Sequence, residues 1–117
     1  MIEKVKSAVV EFLLQYPKLS EEDVTVACYG VAFKPDIDDL RESPALRIVQ
    51  QIGASHQGPL LVIEPNIQQL PDALSGSELT SLSSAHKRAD VHVYLVAHKE
   101  FGEALKPVRY CIDAVGV

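Results

Sequence analysis

Val24-Thr25-Val26-Ala27-Cys28-Tyr29-Gly30-Val31-Ala32-Phe33-Lys34-Pro35-Asp36-Ile37-Asp38-Asp39-Leu40-Arg41-Glu42-Ser43-Pro44 is the stretch on which the fold turns. Its first six residues are β-branched, small or aromatic, with no regular polar alternation. That pattern marks a central strand of a parallel sheet, buried on both faces. Gly30 ends the run. Ser43-Pro44 then starts a helix, with Ser43 as N-cap and Pro44 at the first helical position, where its missing N–H does no harm. Ala45, Leu46, Ile48, Val49 and Ile52 give this helix its apolar face, and Gly53 lies near its stop. Between strand and helix run two cations, Lys34 and Arg41, and four acids, Asp36, Asp38, Asp39 and Glu42. Open α/β sheets bind ligands outside the carboxyl ends of their strands, where such a loop falls.

Upstream, Ile2, Val5, Val9, Phe12, Leu13 and Tyr16 recur at three- to four-residue steps, which predicts an amphipathic helix closed by Pro17. A polar connector, Ser20-Glu21-Glu22-Asp23, follows. Downstream, Leu60–Ile63 reads as a second buried strand ending in Glu64-Pro65-Asn66, and 67–77, with Pro71 and Gly76, as irregular connection. A short edge strand from about Leu79, a helix from about Ser84, a strand over 91–97, a short helix over 99–105 and a last strand over 110–114 complete the pattern. Alternating strands and helices predict βαβ units with right-handed crossovers. The expected fold class is α/β, Rossmann-like and doubly wound, a mostly parallel sheet with flanking helices and an extra N-terminal helix.

The chain of 117 residues fits one compact domain, small for a complete two-substrate enzyme. A net charge of −5 and scattered Lys and Arg argue against a nucleic-acid binder. Cys28 and Cys111 stand far apart in apolar surroundings, as reduced core thiols of a cytosolic protein would. No secretory signal is visible, because Glu11 breaks the apolar run from Ala8, and no run approaches a membrane span, so the expected location is the cytoplasm. The six glycines nowhere form Gly-x-Gly, so neither a dinucleotide fingerprint nor a Walker loop is present. His56, His86, His92 and His98 lack metal-ligand spacing, and no metal site is expected. His92 reads as a core or edge histidine.

From the residues alone the charged loop has two readings. Lys34, Arg41 and the helix-start N–H groups together make an anion site, or the loop is ordinary solvated surface. A receiver-like module holding Mg²⁺ on Asp36, Asp38 and Asp39 is a further alternative, which Glu64-Pro65 and Ala97-His98 fit poorly. So is a purely structural interaction domain.

The segment Gly30–Pro44 resembles the signature of the UDP-binding domain of the UDP-glucose/GDP-mannose dehydrogenase family. Val62-Ile63-Glu64-Pro65-Asn66, Ala89-Asp90-Val91 through His98-Lys99-Glu100-Phe101, and Cys111-Ile112-Asp113 are similar to later segments of the same domain, so the resemblance runs along the whole chain. Ile37-Asp38-Asp39-Leu40, Glu64–Ile67 and Gln69-Leu70-Pro71 look most like the branch that oxidises UDP-N-acetyl-D-mannosamine for bacterial surface polysaccharides. The resemblance implies a two-step NAD-dependent oxidation at C6 of a UDP-sugar by a three-domain parent. Its N-terminal Rossmann domain carries NAD, and its central region carries the catalytic cysteine and builds the dimer. Neither Cys28 nor Cys111 matches that cysteine's context, so no catalytic residue is expected in this chain, which should be inactive alone.

Position by position, the resemblance makes Lys34 a contact to the UDP-sugar, Phe33 a wall of its pocket, and Arg41 a cation reaching the NAD pyrophosphate. Val115 stands where many members carry Arg or Lys, and Arg109 reads more simply as a surface arginine at the entry of a strand than as its substitute. Residues 1–20 are expected to be the helix and connector from the central region, and 21–117 the UDP-sugar-binding domain. The first helix, including Phe12 and Leu13, would then show apolar surface in isolation and favour a homodimer.

Overall fold

The structure is a computed structural model that describes residues 2–31, 44–64, 67–70, 72–74, 76–96 and 111–113. In chain order its elements are α1 (Ile2–Gln15), β1 (Val26–Tyr29), α2 (Pro44–Ser55), β2 (Leu60–Ile63), β3 (Glu78–Leu79), α3 (Leu82–Arg88), β4 (Val91–Tyr94) and β5 (Cys111–Asp113), with short 3₁₀ turns at Glu21–Asp23 and Asp72–Leu74. The five strands form one sheet in the order β3-β2-β1-β4-β5. Every pairing is parallel, with Val26 beside Leu60 on one side and Val91 on the other. The strand read from Val24–Tyr29 is therefore central, and its four strand residues are all buried.

Strand alternation divides the core in two. Val26, Cys28, Leu60, Val62, Val91, Val93 and Ile112 face α1 and α2, where Val5, Val9, Phe12, Val49 and Ile52 meet them. Ala27, Tyr29, Leu61, Ile63 and Tyr94 face the other way, with Ala85 and Leu82 of α3 and with Cys111. Two helices thus lie on one face and α3 on the other, the three-layer arrangement of a doubly wound sheet. With the short β3 at its edge, the order of the described strands differs from the 2-1-3-4-5 of the receiver-like alternative.

Three expectations are corrected. Phe12 is not exposed: its ring is buried in the core beside Val5, Ala8 and Val9, because these residues share one helical stripe. The exposed apolar residues of this region are Val10, Leu14, Tyr16 and Leu19, and Leu13 is partly buried. The third helix starts at Leu82 rather than near Ser84, because the Ser81 hydroxyl accepts the Ser84 N–H and caps the turn two residues earlier. Cys111 is only half buried, whereas Cys28 is fully buried, and the two form no disulfide. The Ser43 cap and the helix expected over 99–105 lie outside the described residues.

The amino edge of the sheet is closed by short-range contacts. His56, at the end of α2, donates from Nε2 to the Val24 carbonyl at 2.7 Å, with Glu21 3.7 Å from its Nδ1. Gly58 passes so close that a Cβ there would lie 2.3 Å from the Val24 oxygen. Asp90 accepts the Thr25 N–H at 3.0 Å.

Candidate functional site

In the order β3-β2-β1-β4-β5 the direction of winding reverses between β1 and β4, and the ligand crevice of such a sheet lies outside the carboxyl ends of those two strands. Here the chain leaving β1 is fastened on both sides. The Tyr29 carbonyl accepts the N–H groups of Leu95 at 2.9 Å and Val96 at 3.3 Å, and the Gly30 N–H donates to the Ile63 carbonyl at 2.8 Å. Gly30 takes φ +97°, a conformation that L side chains rarely adopt. A Cβ at this position would come within 2.6 Å of the Val96 Cβ. Only glycine lets the end of β1 and the chain after β4 approach this closely.

One residue further, the Val31 N–H donates to Oε1 of Glu64 at 2.9 Å. Glu64 follows β2 directly and is only 3% exposed. A carboxylate out of water is unfavourable unless hydrogen-bonded, and a backbone N–H is a strong partner for it. Residue 31 is therefore fixed to the β2 side of the crevice just before the charged segment begins. Phe33, Lys34 and Arg41 lie outside the described residues, as do Asp36, Asp38, Asp39, Glu42, Arg109 and Val115. The described strand ends place both attachment points of that segment, Val31 and Pro44, in the framework. Gly30 and Glu64 are the framework residues that motif reading left without a role. A glycine at a strand end and an acid after the adjacent strand were their only signals.

Beneath the same end of the sheet, on the α3 face, four rings interlock. Tyr29 and Tyr94 stack with centroids 4.3 Å apart. The Tyr29 hydroxyl lies 2.7 Å from His92 Nδ1, and the Tyr94 hydroxyl 3.1 Å from His86 Nε2. Burial, reinforced by His86, pushes His92 down to about 4, so its ring is neutral and Nδ1 accepts the Tyr29 O–H. Burial also raises the Tyr29 hydroxyl far above its ordinary value and lowers His86. His92 is thus a satisfied core histidine. Among the described residues no three His, Cys, Asp or Glu side chains gather as a metal site. Nor, among them, is any helix long and apolar enough to cross a membrane.

Sheet order, all-parallel pairing and the buried carboxyl-edge brace define a Rossmann-type α/β domain. Residues 27–116 match the UDP-binding domain of the UDP-glucose/GDP-mannose dehydrogenase family, and the chain belongs to that family. It is 48% identical to a UDP-N-acetyl-D-mannosamine dehydrogenase of Salmonella typhi over 122 residues, covering 100% of this chain and 29% of the relative. A UDP-N-acetyl-D-mannosamine dehydrogenase of Campylobacter jejuni is 47% identical over 108 residues, covering 86% of this chain and 26% of that protein. A solved UDP-N-acetyl-mannosamine dehydrogenase from S. aureus superposes with a TM-score of 0.63 at 25% identity, over 93% of this chain and 22% of that one. The chain thus spans less than a third of the length of these relatives.

A dehydrogenase family implies a nicotinamide cofactor. The space beside Gly30, at the switch point, is filled by Val96.

Proposed function

We propose that this chain forms the UDP-sugar site of an NAD-dependent UDP-sugar 6-dehydrogenase acting on UDP-N-acetyl-D-mannosamine. Lys34 contacts the nucleotide sugar, Phe33 lines its pocket, and Arg41 reaches toward the pyrophosphate of NAD. The cofactor itself is held mainly by an N-terminal domain, the catalytic cysteine belongs to a central region, and this chain alone is inactive. Residues 1–20 serve as the connection to that central region and 21–117 as the binding domain. The parent works in the cytoplasm in polysaccharide synthesis, and the exposed Val10 and Leu14 of α1 favour a homodimer.

The observation that carries this reading is the exit of the Lys34- and Arg41-bearing segment from β1 at the point where the sheet reverses its winding, where this fold binds ligands. In an otherwise acidic chain, one cation per bound anion gives each a distinct task. A charge-assisted contact contributes about 1.5–3 kcal/mol. Titration calorimetry of the chain with UDP tests the proposal: saturable binding is expected, weakened roughly ten- to a hundredfold by Lys34→Ala and unchanged by Arg41→Ala. A chain that ignores UDP at millimolar concentration, or binds it equally well without Lys34, overturns it.

A further inference from the structure

Strand β1 is held beyond each end by one carboxylate from a neighbouring element. At its start Asp90 accepts the Thr25 N–H at 3.0 Å, and past its end Glu64 accepts the Val31 N–H at 2.9 Å. The two bonds are alike in kind and differ in setting. Asp90 is half buried at the amino edge, away from the crevice, whereas Glu64 is 3% exposed at the carboxyl edge. Burying a carboxylate is unfavourable, and an N–H leaving a sheet toward an open crevice could be satisfied by water. A buried acid at this spot fixes the Val31 N–H, and with it the point at which the chain leaves β1. Val31 lies three residues before Lys34 in the sequence, so what fixes Val31 bears on where Lys34 can reach.

We propose that Glu64 is a positioning residue of the UDP site, acting through the Val31 N–H to aim the segment that carries Phe33 and Lys34; the inference rests on the function proposed above. It departs from the dinucleotide-binding pattern, in which the acid after the second strand takes ribose hydroxyls. Here that acid is turned inward onto the backbone.

The test compares Glu64→Ala, Glu64→Gln and Asp90→Ala in the 117-residue chain, with two readouts. One is UDP affinity by calorimetry. The other, without nucleotide, is the rate of tryptic cleavage after Arg41 relative to cleavage after Arg47 inside α2. Glu64→Ala is expected to weaken UDP at least tenfold and to accelerate relative cleavage after Arg41 severalfold. Glu64→Gln keeps an oxygen acceptor and should restore both to within about threefold of the original chain. Asp90→Ala should lower the melting temperature while leaving both readouts within threefold. Should the alanine variant not fold, Glu64→Asp, one methylene shorter, replaces it with the same expected direction. Equal effects of the Glu64 and Asp90 variants, or none from Glu64→Ala, overturn the proposal. If the original chain binds no UDP, the functional reading fails, and the cleavage ratio alone still decides the role of Glu64.

Discussion

Acid should unfold this domain through one histidine. His92 is 4% exposed, stays neutral down to about pH 4, and accepts the Tyr29 hydroxyl on Nδ1. The unfolded chain takes up a proton at the ordinary histidine value of about 6.5, and the folded chain does not until about 4. The unfolded state therefore binds more protons between these limits. The stability linked to His92 is complete above pH 6.5 and drains as pH falls toward 4. At about 1.36 kcal/mol per unit, the full interval is worth at most about 3 kcal/mol, a large share of a small domain's total stability. Protonation also turns Nδ1 from acceptor to donor, setting an N–H against the Tyr29 O–H. His92→Asn places an amide oxygen near the Nδ1 position and cannot titrate. Urea unfolding from pH 7 to pH 4 should show the original chain losing about 2–3 kcal/mol more than this variant. Parallel pH slopes for the two proteins would refute the reasoning.

Gly30→Ala combines a disfavoured φ with a Cβ 2.6 Å from the Val96 Cβ, and should destabilise the fold by about 3 kcal/mol in urea melts, with partial recovery when Val96→Ala is added. Cys28, whose thiol burial pushes up to about 12, should resist thiol reagents in the native chain and react only after denaturation, while half-buried Cys111 reacts first; equal native rates, followed by mass spectrometry, would contradict the packing.

The central strands were legible because each is a short, mostly apolar run next to Gly, Pro or an acid, as in 60–63 between Pro59 and Glu64 and 91–94 after Asp90. Ser43-Pro44 placed α2 within a residue of its observed start. The start of α3 was harder, since Ser81, Ser83 and Ser84 all make plausible caps and only the hydroxyl bond to Ser84 N–H distinguishes Ser81. Phe12 was misjudged because the 3.6-residue period gives a helix its apolar stripe without saying what covers it. Here α2 and β4 do. Glu64 was visible only as part of a motif. Its burial depends on β1 pairing with β2 in the register that sets Tyr29 beside Ile63, and no local pattern encodes that pairing. The Tyr29–His92 bond likewise joins residues 63 positions apart.

Helix α1 precedes the sheet in this unit yet packs against β4 and β5, the described strands furthest from it in sequence. A nascent chain therefore cannot complete this unit from its amino terminus onward. Until the final strands leave the ribosome, Val5, Val9 and Phe12 have only part of their native cover. Emergence at about 5–20 residues per second makes that wait several seconds long. Over that interval the apolar stripe of α1 is open to non-native contacts, the stage at which aggregation competes with folding.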